Sequence, residues 1–275
     1  MLGRLALKGN RLAKPAQTRE LHPPMTYFVT ASDGTDIAYD CMGEGSPVVL
    51  IHGFGANRQI TWANTNWYQT LQRAGHKLIA IDCRGHGESE KPHDPADYHE
   101  GRMATDVIAV LAALEIPEVD VVGYSMGGQL AIRLMHDAPG RVRRVVLGGI
   151  GENYFHVSKE ATEAIADGLL TRDPARITDP KAREFRTFCE KAGDDLVAMA
   201  ACIRRPRRVF SREELHTLPQ KVLVADGEQD DMAGSPEPLS RAFADASTLV
   251  IPKRNHHSMV GDRAFKDAAM AFLAD

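Results

Sequence analysis

Short apolar runs alternate with amphipathic stretches along most of the chain. Runs of strand length fall at residues 47–52, 77–82, 119–124, 142–147, 221–226 and 248–251. Between them, apolar positions recur at helical spacing over 62–74, 102–114, 126–137, 236–244 and 263–273. Alternation of this kind predicts a mostly parallel sheet covered by helices on both faces. Ahead of it, residues 26–42 hold two β-rich runs around Ser32-Asp33-Gly34-Thr35, and Asp-Gly between such runs predicts that the sheet opens with an antiparallel hairpin.

One interval breaks the rhythm. From 151 to 219 no strand pattern appears, and 159–170, 181–192 and 195–203 read as short amphipathic helices separated by the breakers Asp173-Pro174 and Asp179-Pro180. The division this predicts is a core of residues 25–150 and 220–275 with a helical insertion at 151–219. Within the insertion, Arg204, Arg205, Arg207 and Arg208 form a charge run, which reads as a solvated face, with anion binding as the alternative. Residues 1–24 carry Arg4, Lys8, Arg11, Lys14 and Arg19 against Glu20 alone. They lack both the Ser richness of a transit peptide and the apolar stretch of a secretory signal, and read as a loosely ordered extension ahead of Met25.

Composition narrows the function. A net charge of −4, from 33 basic and 37 acidic side chains, gives no basic excess to attract nucleic acid. The apolar runs are far shorter than the ~20 residues a membrane span needs, so no span is expected. Cys41, Cys83, Cys189 and Cys202 are scattered without a CxxC pair, which points to free thiols and a cytoplasmic setting.

The chemistry begins at Gly123-Tyr124-Ser125-Met126-Gly127, a G-x-S-x-G with a strand pattern before it and a helical pattern after it. A serine on so sharp a turn needs small neighbours, and its hydroxyl is held out at the carboxyl edge of the sheet near the positive end of the following helix. Several other blocks stand in register with this one: His52-Gly53-Phe54-Gly55 after the strand at 47–52, Asp82-Cys83-Arg84-Gly85-His86-Gly87-Glu88-Ser89, Gly227-Glu228-Gln229-Asp230-Asp231, and Ile251-Pro252-Lys253-Arg254-Asn255-His256-His257. Together they resemble the α/β-hydrolase superfamily over roughly residues 26–273.

That resemblance implies an eight-stranded, mostly parallel sheet with the antiparallel hairpin at its start and a small helical lid formed by the insertion. It implies Ser125 as nucleophile, His256 as base and Asp230 as the acid that orients it, with the backbone N–H groups of Phe54 and Met126 as oxyanion donors. Asp231 and His257 remain adjacent alternatives for acid and base. The segment 82–89 resembles a structural turn of the family, so Cys83 and His86 read as scaffold, since further ligands at zinc-like spacing are missing. Relatives commonly carry small or Gly-containing residues where this chain has Lys253-Arg254-Asn255. A serine rather than an aspartate at the elbow points to acyl chemistry, as in a carboxylic-ester hydrolase working without metal or organic cofactor on a small-molecule ester. The alternatives are a carbon–carbon bond hydrolase of aromatic ring-cleavage products, which uses the same triad, and a ligand-sensing protein on the same fold.

Overall fold

A computed structural model describes residues 25–274; the reading of residues 1–24 falls outside it. Eight strands form one sheet: β1 (Thr26–Thr30), β2 (Asp36–Met42), β3 (Pro47–Ile51), β4 (Lys77–Ile81), β5 (Val119–Tyr124), β6 (Val142–Gly148), β7 (Lys221–Gly227) and β8 (Ala246–Ile251). Their order is β1-β2-β4-β3-β5-β6-β7-β8. The β1–β2 pair is antiparallel, closed by the Asp33-Gly34 turn with Gly34 at φ 90°, and β2 meets β4 antiparallel. Every later pairing is parallel, so the carboxyl ends of β3, β5, β7 and β8 share one edge. Ligand sites of open α/β sheets form at that edge.

The interior strands are apolar on both faces because both faces are covered. Val49 and Ile51 of β3 and Val121 of β5 join one apolar cluster with Met103, Val107, Leu130, Leu134 and Leu239. These come from α2 (Glu100–Ala113), α3 (Met126–Asp137) and α8 (Glu237–Ser240). Val48, Leu50 and Val122 point the other way, onto Trp67, Leu71, Phe265 and Ala269 of α1 (Trp67–Arg73) and α10 (Arg263–Ala274).

Two predicted helices are shorter than their sequence patterns. The stretch 62–74 divides into a π-helical turn at Gln59–Ala63 and α1, separated by Asn66 at φ 66°, a left-handed conformation that Asn tolerates. On a continuous helix Trp62 and Trp67, five residues apart, would diverge by about 140°; the break lets both indoles meet edge to face at 5.3 Å, fully buried. The pattern over 236–244 yields only α8, since residues 241–245 turn toward β8.

The insertion is helical, with α4 (Lys159–Leu170), α5 (Pro180–Ala192), α6 (Leu196–Ile203) and a short α7 (Arg212–His216) that the pattern did not reveal. Ser158, Asp179 and Asp195 each accept a first-turn N–H as N-caps, and Gly193 in the left-handed region ends α5. Ile165, Leu169, Ala182, Cys189 and Met199 form an apolar cluster separate from the two on the sheet, and Phe54 packs against it. All four cysteines are free, and among the described residues no helix is long and apolar enough to cross a membrane.

Candidate active site

Ser125 sits between β5 and α3 at φ 54°, ψ −113°, a strained conformation for a residue with a side chain. The glycines around it answer to close approach. A Cβ on Gly127 would lie 2.0 Å from the Ile51 carbonyl oxygen, and one on Gly123 would lie 2.4 Å from the carbonyl oxygen of Gly127. The Ser125 N–H is anchored on the Gly148 carbonyl at 2.8 Å, while its hydroxyl faces a cavity of about 500 Å³.

The acid and base alternatives separate by burial and partner. Asp230 is 5% exposed and its Oδ2 lies 2.8 Å from His256 Nδ1; Asp231, one residue on, is exposed. The other oxygen of Asp230 accepts the N–H groups of Met232 and Ala233 at 3.0 and 2.9 Å, which fixes the carboxylate. His256 opens the short helix α9 (His256–Met259), held by a capping box between Asn255 and Ser258. With Nδ1 turned to Asp230, Nε2 is the nitrogen left for chemistry, and His256 lines the same cavity as Ser125. His257 is exposed, 3.2 Å from Glu184 Oε1, with its ring against Phe188. Lys253 stands at φ 59°, so the departure from small residues in this loop falls where the backbone favours glycine.

The structure also gives roles to residues to which the motifs assigned none. Tyr124, buried ahead of Ser125, donates its hydroxyl to the backbone carbonyl of His256 and ties the elbow to the histidine loop. His52 is fully buried, accepts the Cys83 N–H on Nε2 at 2.9 Å and turns Nδ1 to the Gly53 carbonyl at 2.7 Å, bracing the loop that carries Phe54. Burial holds its pKa below the usual imidazole range, which fits a neutral ring with Nδ1 protonated. Among the described residues, neither the Phe54 nor the Met126 N–H has an acceptor, and both residues line the cavity. Asp226, at the end of β7, is buried near Asp230; burial first and Asp230 second push its carboxyl well above the usual carboxylate range.

The turn at 82–89 is built into the scaffold. Asp82 accepts from the Arg58 backbone N–H and guanidinium and from the Glu88 N–H, Arg84 forks onto Asp106 at 2.8 and 2.6 Å, and His86 is buried. Among the described residues no group of three or more His, Cys, Asp or Glu side chains is gathered as metal ligands would be.

The arginine run departs from the solvated face its sequence suggests. Arg204 and Arg208 do pair with acids at the surface, Arg204 with Glu163 and Asp167, Arg208 with Glu214. Arg205 is buried and Arg207 is largely covered, and both line the cavity that holds Ser125. Their partners, Gln129 and Glu100, come from α3 and α2, so no local pattern could reveal the turn inward.

Known proteins share this fold. A family model described as alpha/beta hydrolase fold matches residues 46–177. The chain is 40% identical over 257 residues to the 2-hydroxymuconate semialdehyde hydrolase of Pseudomonas sp. (strain CF600), spanning 85% of this chain and 88% of that one. It is 32% identical over 111 residues to the AB hydrolase superfamily protein YisY of Bacillus subtilis (strain 168), of which it spans 40%. Among solved structures, the esterase RhEst1 from Rhodococcus sp. ECU1013 superposes with a TM-score of 0.68 at 26% identity, covering 91% of this chain and 98% of that one.

Proposed function

The chain belongs to the α/β-hydrolase family, and from that premise we propose that it is a serine hydrolase cleaving carboxylic esters through an acyl-enzyme on Ser125. The observation that carries this reading is the 2.8 Å contact of Asp230 with His256 Nδ1, in a cavity that His256 shares with Ser125. A serine hydroxyl is a weak nucleophile at neutral pH. His256 Nε2 takes the hydroxyl proton as Oγ bonds to the acyl carbon, and Asp230 stabilises the imidazolium. The carbonyl oxygen becomes an oxyanion held by the Phe54 and Met126 N–H groups; donors of this kind are worth roughly 3 to 4 kcal/mol each in other enzymes. Collapse returns the proton from His256 to the departing alkoxide, leaving an acyl-enzyme and free alcohol. Water, deprotonated by the same His256, then releases the acid and restores Ser125. Among the described residues the His256 ring is bonded to Asp230 and not directly to Ser125, and such nucleophile–base contacts often tighten only with substrate bound.

Residues 151–219 act as a lid over the remaining core. Ile165, Phe185 and Ile203 from these helices line the cavity, which supports their role in excluding water and shaping the pocket. The four free thiols support a cytoplasmic location.

The 40% identity to a 2-hydroxymuconate semialdehyde hydrolase favours a second reading, carbon–carbon bond cleavage of a ring-cleavage product by the same triad. Burst kinetics with p-nitrophenyl esters of rising acyl length, with fluorophosphonate labelling and mass mapping, test both. Labelling of Ser125 with multiple turnovers of short esters upholds the esterase. Labelling with negligible ester turnover, and cleavage of a vinylogous 1,5-diketone, gives the second reading; absence of labelling sinks both.

A further inference from the structure

The cavity is electrostatically one-sided. Among the described residues its wall carries Lys181, Arg205 and Arg207 and no aspartate or glutamate. Lys181 is exposed, whereas Arg205 is 5% exposed and the Arg207 side chain 22%, so an uncompensated charge on either arginine is costly. One acid stands behind them: Glu100, 3% exposed, whose Oε1 is 3.9 Å from Arg205 Nε and 3.8 Å from Arg207 Nε, beyond hydrogen-bonding distance from both. Its other oxygen accepts the Arg208 backbone N–H at 3.1 Å. Two guanidinium charges therefore face one carboxylate.

The arginines are not equivalent. Arg205 gives Nη1 to the Cys202 carbonyl and Nη2 to Gln129 Oε1, at 3.1 and 2.9 Å, while its buried Nε has no acceptor. Arg207 makes no side-chain hydrogen bond among the described residues, so its whole planar fork is free. Burial, and then the neighbouring Arg205, lower the Arg207 pKa to about 10, so it remains cationic at neutral pH. A largely covered guanidinium with no hydrogen-bond partner, opening on a cavity, matches the geometry of a carboxylate, which it can take bidentately.

We propose that Arg207, positioned by Arg205 and Glu100, receives the carboxylate of an anionic acyl substrate, so that the preferred esters are half-esters of dicarboxylic acids. The inference rests on Ser125 being the nucleophile of this cavity. Gln129 lies one helical turn beyond Ser125 on α3, which puts the Arg205 cradle on the same wall as the elbow.

The test compares p-nitrophenyl half-esters of succinic, glutaric and adipic acids with uncharged p-nitrophenyl esters of equal acyl length, in the native protein, Arg207→Met and Arg207→Lys. Alongside, monomethyl glutarate is titrated calorimetrically into Ser125→Ala, with and without Arg207→Met, and melting temperatures monitor folding. At one chain length the charged ester is expected to be favoured at least about tenfold in kcat/KM, the scale of a charge-assisted hydrogen bond. That preference collapses in Arg207→Met, is partly kept in Arg207→Lys, and the titration heat is lost with Arg207→Met. Equal or better use of uncharged esters at every length, with titration indifferent to Arg207, overturns the proposal and leaves the esterase reading standing. If no ester turns over but monomethyl glutarate still binds through Arg207, the anion site stands and the esterase reading falls.

Discussion

The hydroxyl of Tyr124 donates to the backbone carbonyl of His256, so the residue ahead of the proposed nucleophile holds the loop of the proposed base. The bond is buried and spans 132 positions of sequence. Tyr124→Phe keeps the ring against His256 and removes only the donor, leaving a buried carbonyl without its partner. A loss of about 1 kcal/mol in stability is expected. Because the base loses a tether rather than its chemistry, kcat should fall about three- to tenfold with KM little changed. Steady-state kinetics beside thermal unfolding check this; an unchanged kcat would make the bond purely structural.

Asp230→Asn and Asp231→Asn separate the two adjacent acids. The first places an amide where His256 Nδ1–H needs an acceptor and is expected to cost kcat about 10⁴-fold, the loss that amide replacement of a triad acid causes elsewhere. The second alters an exposed side chain and should leave kcat within about threefold. A parallel pair, His256→Ala and His257→Ala, should rank the same way. Reversed ranking in either pair would move that role by one residue.

The strands were readable because each is a short apolar run bounded by breakers, and the site was readable wherever a motif fixes backbone geometry, as at Gly123 and Gly127. Spacing alone left Asp230 beside Asp231 and His256 beside His257; burial and the facing partner are tertiary facts, and they are what distinguish the members of each pair. Long-range partners account for the rest. The helical pattern over 62–74 overran Asn66 because packing two indoles on one cluster outweighed continuation of the helix. The arginine run looked solvated because Gln129 and Glu100, which draw Arg205 and Arg207 inward, lie about 75 to 110 positions away in sequence.

Strain at the elbow gives a prediction in which stability and activity move apart. Ser125 at φ 54°, ψ −113° carries a penalty of roughly 1 to 3 kcal/mol that glycine would not. Glycine also widens the unfolded ensemble, which offsets about 0.5 to 1 kcal/mol of the gain. Ser125→Gly is therefore expected to abolish turnover and raise the melting temperature by about 2 °C. Ser125→Ala should abolish turnover with little change in melting. Calorimetric scans of the three proteins decide it, and a lower melting temperature for Ser125→Gly would mean that the surrounding contacts require a Cβ there.

Asp194 lies in the turn between α5 and α6, where burial pushes its carboxyl up from 3.8 to about 7, against the opposing pull of Lys91. The native state therefore holds this proton more tightly than the unfolded chain does. Between those two values the folded protein binds more protons, so stability falls as pH rises. The contribution is complete below about pH 4 and is lost as pH passes through about 7. Asp194→Asn removes the titration while keeping the shape of the side chain. Its melting temperature should gain on the native protein steadily from pH 4 to 7 and hold that lead above pH 8. Melting curves of both proteins across this range form the test, and parallel curves would show that Asp194 is ionised in the folded state throughout.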